Sequence, residues 1–262
     1  MLIAHISDTH ITTHNDPDLP QSDARIQKLT AFVDHIQQMS EKPDLIIHTG
    51  DVTHGGKPQY YATVKAIMGV LDVPAYFALG NRDKADNLVA GLRDLGGANT
   101  IGKFLIYSID DYPVRMIAMD TQNRGTNIGT TCSERLDALD TLLKAKPDTP
   151  TALFMHHPPF EVTTSKYPFQ FDDKVLADAF LDLIAQHKQV VHMFCGHMHR
   201  QYRAELPTCV ATITPSLGPD NRLGDFDAAI QDKPLFELHR WDPDAGAFET
   251  SLHAAGMETK VA

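Results

Sequence analysis

The tetrapeptide Gly196-His197-Met198-His199 follows the apolar run Val190–Cys195 and sets two imidazoles two residues apart. A neutral imidazole offers a lone pair to a metal ion, and side chains two apart on extended chain lie on one side. Four further clusters stand in the same setting, each at the carboxyl end of its own apolar run: Asp8-Thr9-His10, Gly50-Asp51, Gly80-Asn81 and His156-His157. Ligands of open α/β sheets gather beyond the carboxyl ends of strands, where residues distant in sequence can meet. Asp8, His10, Asp51, Asn81, His156, His197 and His199 are therefore candidate metal ligands.

Seven such side chains are too many for one ion and suit two. Asp51 is the natural bridge, because one carboxylate can serve two cations. Carboxylate, amide and imidazole donors without a thiolate fit iron, manganese, zinc or cobalt and do not select among them. Each cluster alone also reads as an ordinary strand-ending turn or stiff loop; the case rests on all five occurring together. His5, His48 and His192 lie inside apolar runs and read as core residues, Asp83 reads as a turn tie, and Lys166–Phe171 reads as an aromatic rim or a packed loop.

The elements that must position these residues are short apolar runs alternating with amphipathic segments, the pattern of an α/β protein. Strands are expected at Leu2–Ser7, Asp44–Thr49, Ala75–Leu79, Phe104–Ile109, Val114–Met119, Thr151–Met155 and Val190–Cys195. Helices are expected around Ile26–Ile36, over 57–71, 84–95 and 133–145, and from Val175 to Ile184. Cys209–Thr214 reads as a strand, and Leu235–Trp241 with Ala247–His253 as a hairpin. Long loops at 157–172 and 215–234 fall near the ligand clusters. The organisation expected is one domain over 1–262, with 205–255 as a strand and hairpin cap or an oligomerisation segment.

A chain of 262 residues can bury a sizeable core. Its net charge of -11, with no lysine or arginine cluster, works against binding a phosphate polymer. A small anionic substrate remains compatible if cations supply local positive charge. Cys132, Cys195 and Cys209 form no CxxC pair. The opening Met1–Ile6 lacks a signal-peptide pattern and no run reaches membrane-span length, so cytoplasmic residence without a membrane partner is the expectation.

In order and spacing, Asp8-Thr9-His10, Gly50-Asp51, Gly80-Asn81-Arg82-Asp83, His156-His157 and Gly196-His197-Met198-His199 resemble the five blocks of the calcineurin-like metallophosphoesterase superfamily, over roughly residues 1–200. The length, His156-His157-Pro158-Pro159 and the hairpin further resemble bacterial class III cyclic-nucleotide phosphodiesterases and glycerophosphodiesterases. This resemblance implies a four-layer α/β/β/α sandwich of two mixed sheets flanked by helices. It implies Asp8, His10, Asp51 and His199 on one metal, and Asp51, Asn81, His156 and His197 on the other. It implies hydrolysis of a small phosphodiester by metal-bound hydroxide, with a phosphomonoesterase and a non-catalytic scaffold as alternatives. A homo-oligomer formed through the later segments is also in keeping with it. The family pattern has His after Asn, where this chain has Arg82. Guanidinium is a poor proton donor but a good phosphate binder, so Arg82 is expected to clamp the phosphoryl group, with His157 as a further substrate or ligand-orienting contact.

Overall fold

Along the first strand, β1 (Leu2–Ile6), every residue is buried, and the alternation of side chains decides what each face meets. Leu2, Ala4 and Ile6 pack with Ile26, Leu29, Phe32 and Val33 of helix α1 (Ser22–Gln38). Ile3 points the other way, into a second apolar layer with Phe154 and Phe194. A strand covered on both faces reads as a continuous apolar run, which is what a parallel sheet inside a layered protein requires.

The computed structural model describes residues 1–17, 19–96 and 102–257. Strand β1 is followed by α1, β2 (Leu45–His48), α2 (Pro58–Met68), β3 (Ala75–Phe77), α3 (Ala85–Leu92), β4 (Tyr107–Ile109), β5 (Arg115–Met119), α4 (Ser133–Ala145) and β6 (Thr151–Met155). Then come α5 (Lys174–Ala185), β7 (Val190–Cys195), β8 (Tyr202–Glu205), β9 (Val210–Ile213), β10 (Leu235–Asp242) and β11 (Ala247–Ala254). One sheet has the order β11-β10-β1-β2-β3, the other β4-β5-β6-β7-β9-β8. Strands β1, β2 and β3 run parallel, as do β5, β6, β7 and β9, while β10, β11, β4 and β8 are antiparallel to their neighbours.

Helices α1, α2 and α3 cover one sheet, and α4 and α5 cover the other through Leu139, Leu143, Phe180 and Ile184. Between the sheets lie Ile3, Leu45, Ile47, Met116, Phe154 and Phe194. The result is the four-layer α/β/β/α sandwich of two mixed sheets. Among the described residues no helix is long and apolar enough to cross a membrane.

Strands 151–155 and 190–195 and helix 133–145 have the expected bounds. The expected strand Phe104–Ile109 begins only at Tyr107, because the Leu105 amide donates to the Asp120 carboxylate at 3.1 Å rather than to a neighbouring strand. Strand β8 had no apolar run to announce it: Tyr202-Arg203-Ala204-Glu205 alternates half-buried with exposed residues at a sheet edge. The hairpin β10–β11 is built into the first sheet beside β1, so its main strand is nearly all buried. Residues 258–262, the end of the expected domain range, lie outside the described residues.

Phe154 is fully buried where the two sheets face each other. Its replacement in Phe154→Ala is expected to lower unfolding stability by about 3–5 kcal/mol, measurable by denaturant titration.

Candidate metal centre

The carboxyl ends of β1, β2, β3, β6 and β7 lead directly into the candidate ligands, and there the backbone departs from its usual conformations. Asp8, His10, Asp51, His197 and His199 all have positive φ, from 45° to 68°; among the described non-glycine residues only Asn15 shares this. Left-handed backbone is unfavourable by roughly 1–2 kcal/mol for a side-chain-bearing residue and gathers at functional sites. Each such turn swings a ligand out of the strand and over the sheet edge. Glycine permits the crowding that follows. A Cβ on Gly80 would overlap the Asp51 backbone and carboxylate, and one on Gly196 would overlap the Ser7 hydroxyl and lie 3.0 Å from Asp8 Oδ2.

The predicted ligands form two adjoining groups. In the first, Asp8 Oδ1 is 3.1 Å from His199 Nε2 and 3.8 Å from His10 Nε2. In the second, His156 Nε2 is 3.1 Å from Asn81 Oδ1 and 3.3 Å from His197 Nδ1. Asp51 spans both, with Oδ2 3.7 Å from His10 Nε2 and Oδ1 3.6 Å from His156 Nε2. All seven residues therefore come together.

Hydrogen bonds on the far side of each ring select which nitrogen faces the cluster. His156 Nδ1 donates to the Thr49 carbonyl at 2.7 Å, and His199 Nδ1 to the Asn221 carbonyl at 2.8 Å, so both present Nε2. His197 is reversed: Nε2 donates to Gln170 Oε1 at 3.1 Å and Nδ1 faces inward. Gln170 and Asn221 come from the two long loops that the sequence placed near the site. Their roles had no sequence signal, since nothing in a glutamine or a backbone carbonyl marks it as the partner of a distant histidine. On the carboxylate side, Asp8 Oδ2 accepts from Ser7 Oγ at 2.6 Å and the His197 amide at 3.0 Å, and Asp51 Oδ1 accepts from the Arg82 amide at 2.7 Å.

Burial governs the charges. It lowers the pKa of His10 and His156, and takes His197 down to about 3, so these rings carry free lone pairs. Burial and then the neighbouring Asp8 charge push Asp51 up to about 8. For Asp8, burial opposes ionisation, but His199 and His156 outweigh it and hold the carboxyl well below its usual range. His199, opposed by burial in the same way, is raised to about 9 by Asp8. Without cations the cluster thus holds protons in their place.

Asp83 is a structural tie: its carboxylate accepts from the amides of Val52, Thr53 and Gly80 and from the Tyr61 hydroxyl. The Arg82 side chain is exposed at the rim. His157, read from sequence as a substrate or ligand-orienting contact, is fully buried, with Nδ1 2.9 Å from Thr121 Oγ1 and its ring packed on His156 and His197. That position is interior, against the rings of two candidate ligands.

Residues 1–201 match the family model described as calcineurin-like phosphoesterase. The chain is 30% identical to the probable glycerophosphodiester phosphodiesterase of Arcobacter nitrofigilis, covering 94% of this chain and 90% of the relative. It is 29% identical to the glycerophosphodiester phosphodiesterase of Enterobacter lignolyticus, over 81% and 78% of the two chains. It is 23% identical to the 3′,5′-cyclic adenosine monophosphate phosphodiesterase of Vibrio vulnificus, over 98% and 87%. A dimetal phosphatase from Danio rerio superposes with a TM-score of 0.71 at 13% identity, covering 99% and 97%, and shares the fold.

Gln170→Leu removes the acceptor that fixes the His197 ring. It is expected to weaken metal binding about 10–100-fold, read from metal titration of the purified variant beside wild type.

Proposed function

The chain belongs to the calcineurin-like phosphoesterase family, and within it we propose a two-metal hydrolase of small phosphodiesters. Asp8, His10, Asp51 and His199 hold one ion, and Asp51, Asn81, His156 and His197 hold the other. The placement of Asp51 carries this reading, because its two oxygens face different donor groups at 3.7 and 3.6 Å. The donors suit cations: His10 is buried with no hydrogen bond at either ring nitrogen, and no thiolate is present, a set matched by iron, manganese, zinc or cobalt. Bound in such a pair, cations supply Lewis acidity and lower the pKa of water.

The protein's own residues then orient and stabilise. Arg82 has its amide anchored on Asp51 Oδ1 at 2.7 Å, which keeps its guanidinium at the rim beside the ligands. There it clamps the phosphoryl oxygens as charge develops, and leaves protonation of the departing group to water or another residue. Next to Asn81 a cavity of about 350 Å³, also lined by Lys84, Gln122 and Arg124, gives room for a group flanking the phosphate. Relatives named for glycerophosphodiester and cyclic-nucleotide hydrolysis support a substrate of one of those classes. A net charge of -11 works against a phosphate polymer.

Chelation is expected to abolish turnover of a chromogenic phosphodiester, and readdition of manganese, cobalt, zinc or iron to restore it. The matching monoester run under the same metal separates the diester reading from a phosphomonoesterase on this site, which would turn the monoester over faster. Arg82→Ala is expected to lower kcat/KM by about 10²–10³-fold, with Arg82→His retaining part of it. Equal rates for all three proteins across diesters of graded leaving-group pKa would remove Arg82 from the chemistry.

A further inference from the structure

Within the largely apolar layer between the two sheets, β1 and β10 place a knot of polar side chains, with His192 of β7 packed beside it. His5 stands opposite Glu237 across the antiparallel pair, and Glu237 and His239 are two residues apart, so all three project from the inner face of the sheet. Their exposures are 0%, 1% and 0%. We infer that His5, Glu237 and His239 form a third cation site, inside the sandwich and separate from the strand-end centre, suited to a zinc-like divalent ion.

Three donor atoms converge. His5 Nδ1 lies 3.3 Å from His239 Nε2, and Glu237 Oε2 lies 3.9 Å from the first and 3.6 Å from the second. A triangle of those sides has one point about 2.1 Å from every corner, the length of zinc bonds to imidazole nitrogen and carboxylate oxygen. The outward nitrogens are each met by a hydroxyl: His5 Nε2 by Thr49 Oγ1 and His239 Nδ1 by Thr250 Oγ1, both at 2.9 Å. A cation would select the tautomers in which both ring N–H groups are donated there, so that the lone pairs of His5 Nδ1 and His239 Nε2 turn to the same point. Glu237 Oε1 accepts from Gln201 Nε2 at 2.9 Å, whereas Oε2 is buried with no hydrogen-bond partner. Both imidazole nitrogens are too far from Oε2 to serve it, and one cation would satisfy all three atoms together.

Without a cation, His5 Nδ1 and His239 Nε2 share a hydrogen bond at 3.3 Å, one ring donating and the other accepting. Burial pushes the Glu237 carboxyl up to about 8 and His239 down to about 3, leaving a neutral acid beside neutral rings. A cation would replace that proton and tie β1 to β10. It would also act on Thr49, whose hydroxyl meets His5 while its carbonyl accepts from His156 Nδ1 at 2.7 Å.

Zinc stoichiometry tests the site independently of hydrolysis. In an Asp51→Asn/His156→Ala background, which disables the strand-end centre, Glu237→Gln and His239→Gln are each expected to bind one zinc equivalent fewer than the background protein and to lose its zinc-induced rise in Tm. Unchanged stoichiometry would overturn the proposal. Should the variants fail to fold, zinc-edge anomalous diffraction from wild-type crystals grown with zinc decides: a peak between the three atoms supports the site, and none there overturns it. Failure of the phosphodiesterase reading would leave both readouts unaffected.

Discussion

Two carboxylates and four imidazoles packed into one buried cluster are the constraint around which this chain is organised. Taking Asp8 and Asp51 out of water side by side is unfavourable unless positive charge is brought to them. Protons on Asp51 and His199 answer that need only partly, and the cluster's remaining lone pairs suit it to cations. Much else follows. The strands end at one edge so that their ligands meet, the backbone turns left-handed at five ligand positions to aim them, and Gly80 and Gly196 let neighbouring strand ends approach where a Cβ would collide.

Rigidity and selectivity are divided between strands and loops. The parallel strands fix where each ligand begins, since their ladder continues past the strand ends through Asp8 to Gly50, His10 to Asp51 and Gly196 to His156. The loops supply Gln170 and Asn221, which hold His197 and His199 in opposite tautomers. A ring free to flip would offer the wrong nitrogen part of the time, so these acceptors do as much for the geometry as the ligands themselves. Thr49 joins the centre to the interior, with its carbonyl on His156 and its hydroxyl on His5. Strain or order in the inter-sheet layer can therefore reach the candidate ligand His156 by a short path.

The α/β layering and most elements, to within a few residues, were legible in the residues, because both depend on local pattern, and the seven candidate ligands stand at run ends that the fold brings together. Branched apolar runs with period two and amphipathic segments with period 3.6 report burial directly, and ligand types at run ends report chemistry. The resemblance to a known family added the four-layer arrangement and an expected pairing of ligands with metals. Strand β8 escaped this reading because an edge strand needs no apolar face, and the shortened β4 because a side-chain carboxylate captured its amide.

What only tertiary structure decided is who meets whom. No local signal seats β10 against β1, yet that pairing brings His239 to His5 across 234 residues of sequence. Nothing local packs His157 against the rings of two candidate ligands, leaves Arg82 at the rim, or gives Gln170 to His197. Sequence determined the donors and the elements that carry them, since periodicity and residue chemistry act over a few positions. The fold determined which lone pair faces which neighbour, since that depends on hydrogen bonds closed between segments far apart in the chain.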